Sequence, residues 1–214
     1  MHFARILCAT AIVLGSQTLG HACKGPTVIY DDNFRERDDG WFIQEAEFRS
    51  GKVQVGEGRM FITADAEAGN SILNLAFALP RDADICVNAR IVKSTDLSQT
   101  GVGIVFWAKA YADNYLFQVT GGGMYWVTHF ADRAWQSVTP PASLGSFKQG
   151  LGQDNLLRVM TKGQSVTLFV NDVQVARFRA PPPTGLVRAG FRASSFGKEP
   201  TAAEFRDFKV TNVP

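Results

Sequence analysis

The chain is 214 residues long, 45% hydrophobic and 20% charged, with 22 basic against 20 acidic side chains and a formal net charge of +2. That balance excludes the one-signed field by which proteins draw in nucleic acid or an anionic membrane, and the apolar content excludes a disordered chain. The length accommodates one large β-domain or two small ones.

Residues 1–22 read as a secretory signal. Arg5 and His2 precede an apolar run, Ile6–Gly15, and Gly20-His21-Ala22 puts small residues at the −3 and −1 positions of a signal-peptidase site. The run is too short to span a bilayer, and no later stretch approaches the ~20 apolar residues a transmembrane helix needs. The mature domain is then 23–214, exported to the periplasm or beyond the cell. Cys8 leaves with the signal, so Cys23 and Cys86 remain. An even pair in an oxidising compartment reads most simply as a disulfide, and closing a loop of about 60 residues stabilises by on the order of 4 kcal/mol in chain-entropy terms. Cys23 as the first mature residue also admits a lipid anchor, although the position three residues earlier holds Gly20 where a lipobox wants a large aliphatic side chain.

Along the mature chain, Thr27–Phe34 reads as a strand ending in an acidic corner and Trp41–Ile43 as a short apolar contact. Lys52–Val55 and Arg59–Ala64 form a hairpin about Gly56-Glu57-Gly58, and Ser71–Ala78 alternates until Pro80 stops it. In Asp84–Lys93, Ile85, Val87, Ala89 and Ile91 share one face while Asn88 and Arg90 take the other. Three aromatic-rich strands follow, Val102–Lys109, Asn114–Thr120 and Met124–Phe130, joined by the polar turn Ala110–Asp113 and the triplet Gly121–Gly123. Arg133–Val138 continues as a strand and Thr139–Asp154 as a proline- and glycine-bearing loop. Asn155–Met160 and Val166–Val170 come next, and Asn171-Asp172 between alternating runs predicts a type I′ hairpin. Leu186–Ala193 and Ala203–Thr211 close the chain. About thirteen short strands without an amphipathic helix predict an all-β sandwich, two antiparallel sheets in one domain.

The order of several phrases carries a resemblance. Asp31-Asp32-x-Phe34 is followed by Gly58-Arg59-Met60-Phe61, Asn114-Tyr115-Leu116-Phe117, Tyr125-x-Val127, Trp135 and Asn155-x-Leu157-x-Val159. Leu168-Phe169-Val170-Asn171, Gly185-x-Val187, Gly190-Phe191 and Phe205-x-Asp207-Phe208-x-Val210 complete it. The chain thereby resembles the concanavalin A-like lectin/glucanase superfamily. Within it, the chain is similar to laminin-G-like and 3-keto-disaccharide hydrolase-type domains, and to exported bacterial proteins with an Asp84–Val87-type strand and a cysteine at the position of Cys23. The resemblance implies a jelly roll of two curved antiparallel sheets with ligands on the concave face or at its rim. One position departs from the pattern: Asp172 stands where the hairpin asparagine is usually followed by glycine, and Asn-Asp still suits the turn.

Glycoside hydrolysis needs two carboxylates roughly 5 to 9.5 Å apart. Laminarinase-type relatives carry them as Glu-x-Asp-x-x-Glu on one strand, whereas Glu36-Arg37-Asp38 leads to Trp41 and the three central strands hold no acid. His129 stands alone, with neither a zinc-type Cys/His spacing nor a nucleophile elbow. Carbohydrate binding needs flat rings and a few fixed amides or charges, and Trp107, Gln118, Tyr125, Trp126, His129, Trp135 and Arg192 are the candidates. Alternation sets Trp126 opposite Tyr125 and His129, and if Tyr115, Phe117 and Val119 face the core, Leu116 and Gln118 look outward. Asp31, Asp32 and Asp207 are candidate oxygen ligands for a structural calcium ion; no other cofactor is expected. The leading expectation is an exported, non-catalytic domain that binds a glycan or glycoconjugate. The alternatives are a sugar-active hydrolase of the 3-keto-disaccharide type and a laminin-G-like module for a protein partner in the cell envelope.

Overall fold

The computed structural model describes residues 23–36, 40–41 and 51–214. The signal at 1–22, the strand reading of Phe42 and Ile43, and Arg37-Asp38 lie outside the described residues. Two antiparallel sheets face each other. The larger is built on β5 (Ala83–Lys93) and β14 (Thr201–Thr211), which lie side by side at its centre. It continues through β10 (Asn155–Lys162), β11 (Ser165–Val170) and β12 (Val173–Arg179) on one flank. On the other lie β3 (Arg59–Ala64) and β2 (Val53–Gly56), while β1 (Val28–Asp32) pairs with the far end of β14. The smaller sheet runs in the order β4 (Gly69–Leu73), β13 (Arg188–Ser195), β6 (Thr100–Ala110), β7 (Asp113–Thr120), β8 (Met124–Ala131), β9 (Ala134–Ser143). The architecture is the expected jelly roll.

Period-two alternation builds the core. Ile85, Val87, Ala89 and Ile91 of β5 pack across the sandwich onto Val102, Ile104 and Phe106 of β6, with Phe117, Phe191, Phe205 and Phe208 among the fully buried rings. Turn chemistry fixes the register. Asn171 and Asp172 both take positive φ, 52° and 65°, as a type I′ hairpin requires, and the Asn171 amide further bonds Ser146 and Asn155. Asp132 and Arg133 make a second such turn, so the strand after it starts at Ala134. That strand also runs through Pro140 and Pro141 to Ser143, where the composition had suggested a loop. It is an edge strand bonded only to β8, so the missing N–H groups interrupt no second ladder.

Cys23 and Cys86 form a disulfide with Cα atoms 5.6 Å apart, which ties the first described residues to β5. Beside it the buried Asp84 carboxylate takes both arms of Arg158, at 2.6 and 2.9 Å, and the Lys24 backbone N–H at 2.8 Å. No described helix is long and apolar enough to cross a membrane.

Candidate functional site

The outward face of the smaller sheet carries a groove of about 200 Å³. Strand register places its floor. Arg192 of β13 lies opposite Ser71 of β4 on one side and Gly103 of β6 on the other; Gly103 lies opposite Gln118 of β7, and Gln118 opposite Trp126 of β8. Thus one row across five strands reads Ser71, Arg192, Gly103, Gln118, Trp126. With strands ~4.8 Å apart, Arg192 and Gln118 are separated by the width of one absent side chain, that of Gly103. The glycines make this floor possible: a Cβ on Gly101 would collide with the Gln118 amide nitrogen, and one on Gly69 would collide with the Arg192 guanidinium. Leu116, Thr128 and Ser194 complete the floor, and Phe196 stands with Trp126 and Trp135 around it.

The polar groups of this floor are incompletely partnered. Gln118 is 3% exposed, yet its amide nitrogen has no hydrogen-bond partner, and neither has the buried Thr128 hydroxyl. Buried polar groups are normally paired. Arg192 donates from Nε to Ser194 Oγ at 3.1 Å and from Nη1 to Ser71 Oγ at 2.8 Å. Its guanidinium carbon lies 5.2 Å from the centre of the Trp135 ring, itself 44% exposed. Among the described residues no carboxylate pairs with Arg192. Burial lowers its pKa to about 10, so it keeps its charge at neutral pH.

Four of the seven candidate residues, Gln118, Trp126, Trp135 and Arg192, therefore meet in one groove. Three do not. Trp107 is wholly buried between the sheets against Phe106 and Tyr115, because β6 bulges there: its register against β7 shifts after Phe106 and Trp107 takes φ +47°. Strict alternation would have turned it outward, and the bulge turns it in. Tyr125 faces the same interior and donates its hydroxyl to the Val175 carbonyl at 2.7 Å. His129 stacks on Tyr115, with centroids 4.2 Å apart, and meets Asp113 at 3.1 Å. Thr128, Ser194 and Phe196 escaped sequence reading, although parity with Trp126 and with Arg192 was the signal that places them.

Asp31, Asp32 and Asp207 do border a common surface hollow, but with Lys209 in it. Asp32 accepts from the Phe34 backbone and the Trp41 indole, Asp207 accepts from Asn88, and Lys209 lies 3.8 Å from Asp31. These carboxylates cap turns and pair with neighbours, a poor fit to a calcium site, whose oxygens converge on one point.

No protein-family model matches the chain, and no curated protein matches its sequence. Solved structures do share its shape. Carbohydrate-binding module CBM66 from Bacillus subtilis superposes with a TM-score of 0.64 at 12% identity, over 81% of this chain and 96% of that one. The carbohydrate recognition domain of Emp47p gives 0.61 at 16% identity, over 91% and 96%. The Bacillus licheniformis β-glucanase gives 0.61 at 9% identity, over 86% and 97%. At these identities the likeness is one of fold, and the fold is the concanavalin A-like jelly roll.

Proposed function

We propose that this protein is an exported carbohydrate-binding domain that holds a glycan in the groove of its smaller sheet without cleaving it. The observation that carries the reading is the groove floor: a buried amide and a buried hydroxyl without partners, walled by Trp126, Trp135 and Phe196. Sugars present hydroxyls for such polar groups and flat C–H faces for such rings. The groove is smaller than the ~300–1,000 Å³ of drug-sized ligand sites, which suits one sugar unit of a longer chain. A binding module and a lectin domain of the same fold support the reading, and the disulfide suits an oxidising compartment outside the cytoplasm.

The glucanase of the same fold keeps hydrolysis in play as the alternative. Against it, none of the described residues lining the groove is an acid that could serve as proton donor or nucleophile to a bound glycosidic bond. A glycan array on the 23–214 chain, followed by titration of any hit, tests both. Gln118→Ala and Trp126→Ala should each weaken binding by roughly tenfold, about the worth of one hydrogen bond or one ring face, with no release of reducing ends from the bound glycan. Unchanged affinity in both variants, or steady hydrolysis, overturns the proposal.

A further inference from the structure

We infer that the sugar this groove takes is an acidic one, whose ring carboxylate pairs with Arg192. The inference rests on the groove being the glycan site and adds the chemical class of its ligand.

The floor of the groove is unbalanced in two respects. The first is charge. Arg192 is the only ionised side chain among the described residues that line it, and no carboxylate among the described residues pairs with it. An unpaired charge withdrawn from water is costly unless something neutralises it. The two serine hydroxyls and the Trp135 ring offset part of that cost, yet they bring no negative charge. The second is hydrogen bonding. A guanidinium has five N–H donors and no acceptor, and Ser71 and Ser194 occupy only part of that set. Across the gap at Gly103, the Gln118 amide nitrogen is another donor without an acceptor.

A neutral sugar offers hydroxyls, each donor and acceptor alike, and would leave the guanidinium uncompensated. A carboxylate offers only acceptors, brings the missing charge, and matches the planar fork of arginine. Substituted on a pyranose ring lying over Gly103, it would face Arg192 while the ring hydroxyls faced Gln118 and Thr128 and the apolar ring face met Trp126. Glycine at 101 and 103 leaves the room that the Gln118 amide and the Leu116 side chain take up on this floor. The burial that lowers the Arg192 pKa to about 10 is the same desolvation that strengthens such a pair once formed.

Matched probes isolate the carboxylate. Oligogalacturonates, oligoglucuronates and 3′-sialyllactose are titrated beside their neutral twins, the carboxyl-reduced oligomers and lactose, with sulfated galactose oligomers as a separate anion. At least one acidic probe should bind roughly tenfold to a hundredfold more tightly than its twin, as expected for a hydrogen-bonded charge pair, and added salt should shrink that difference. Arg192→Met should abolish the preference, so that within this variant the acidic probe binds no more tightly than its neutral twin; Arg192→Lys, which keeps the charge and loses the fork, should retain part of it. Melting curves of both variants report whether the fold is intact.

Neutral twins that bind as tightly as the acids, with Trp126→Ala weakening both, overturn the acidic ligand and leave the groove reading standing. Acidic oligomers that bind regardless of Arg192→Met and Trp126→Ala overturn both. Preference for the sulfated oligomers, or failure of every acidic probe to bind at millimolar concentration, also overturns the inference.

Discussion

Two arginines lie across the outward faces of the two sheets, each near an aromatic ring. Arg158, on the larger sheet, has its guanidinium carbon 4.5 Å from the centre of Phe169 and both arms on Asp84. Arg192, on the smaller, sits near Trp135 with two serine hydroxyls and no acid among the described residues. The difference separates two uses of a cation drawn wholly or partly out of water. Where the charge serves the fold, the chain supplies its counter-ion: Asp84 is wholly buried, shares β5 with the disulfide cysteine, and also accepts from Lys24. On the smaller sheet no described carboxylate stands by Arg192, and the guanidinium faces the groove.

Breaking each arginine's environment gives the largest contrast. Asp84→Asn leaves Arg158 buried and unpaired, and should lower unfolding free energy by about 3–5 kcal/mol, read as a fall in the urea midpoint. Arg192→Met removes a charge with no described carboxylate partner, and should leave that midpoint unchanged or raise it. Equal losses in the two variants would show that Arg192 is as structural as Arg158, and the distinction between the sheets would collapse.

A finer test uses the glycines of the floor. A methyl on Gly103 meets the Phe117 backbone carbonyl, which cannot swing aside, so Gly103→Ala should cost about 1–3 kcal/mol in strain. A methyl on Gly101 meets the far end of the Gln118 side chain, which can move. Gly101→Ala should therefore shift stability by less than about 1 kcal/mol while displacing the amide and lowering glycan affinity several-fold. Isothermal titration beside chemical denaturation separates the two outcomes, and a Gly101→Ala protein with full affinity would remove Gln118 from the site.

How much of this could be read from the chain depends on where period two holds. The outward set Leu116, Gln118 and Trp126 follows directly from the inward set Tyr115, Phe117 and Val119, because β7 and β8 pair without a shift between them. Trp107 was legible as an aromatic in a strand and illegible in direction, since a single bulge residue reverses parity and no local composition announced it. The strand through Pro140 and Pro141 was hidden for a different reason: proline forbids a ladder on both sides, and only the topology reveals that β9 has a free edge. Charge pairing is likewise non-local. That Arg158 has an acid and Arg192 has none among the described residues depends on which strands lie together, 74 residues apart in the case of Asp84.

The last test concerns acid. Burial works to raise the Glu204 carboxyl on the larger sheet, and the guanidinium groups of Arg90, Arg59 and Arg206 outweigh it, leaving it below its ordinary value. At the β6–β7 turn of the smaller sheet, burial likewise works to raise Asp113, and His129 and Lys109 outweigh it. A carboxyl whose pKa is lower in the folded chain binds fewer protons there than in the unfolded one, so stability rises with pH across that interval. Its contribution is complete above the ordinary carboxyl range near 4 and is lost as pH falls through the depressed value. Melting temperature should thus fall between pH 5 and pH 2.5. Glu204→Gln should remove about 1.5–3 kcal/mol of stability at neutral pH and flatten the fall, as expected for hydrogen bonds to a charged hub. Asp113→Asn should remove less than about 1 kcal/mol, because its pairs are partly exposed and screened. If Asp113→Asn flattened the acid limb more than Glu204→Gln, the weight of the ion pairing among the described residues would lie on the groove-bearing sheet, and the contrast between the two sheets would have to be given up.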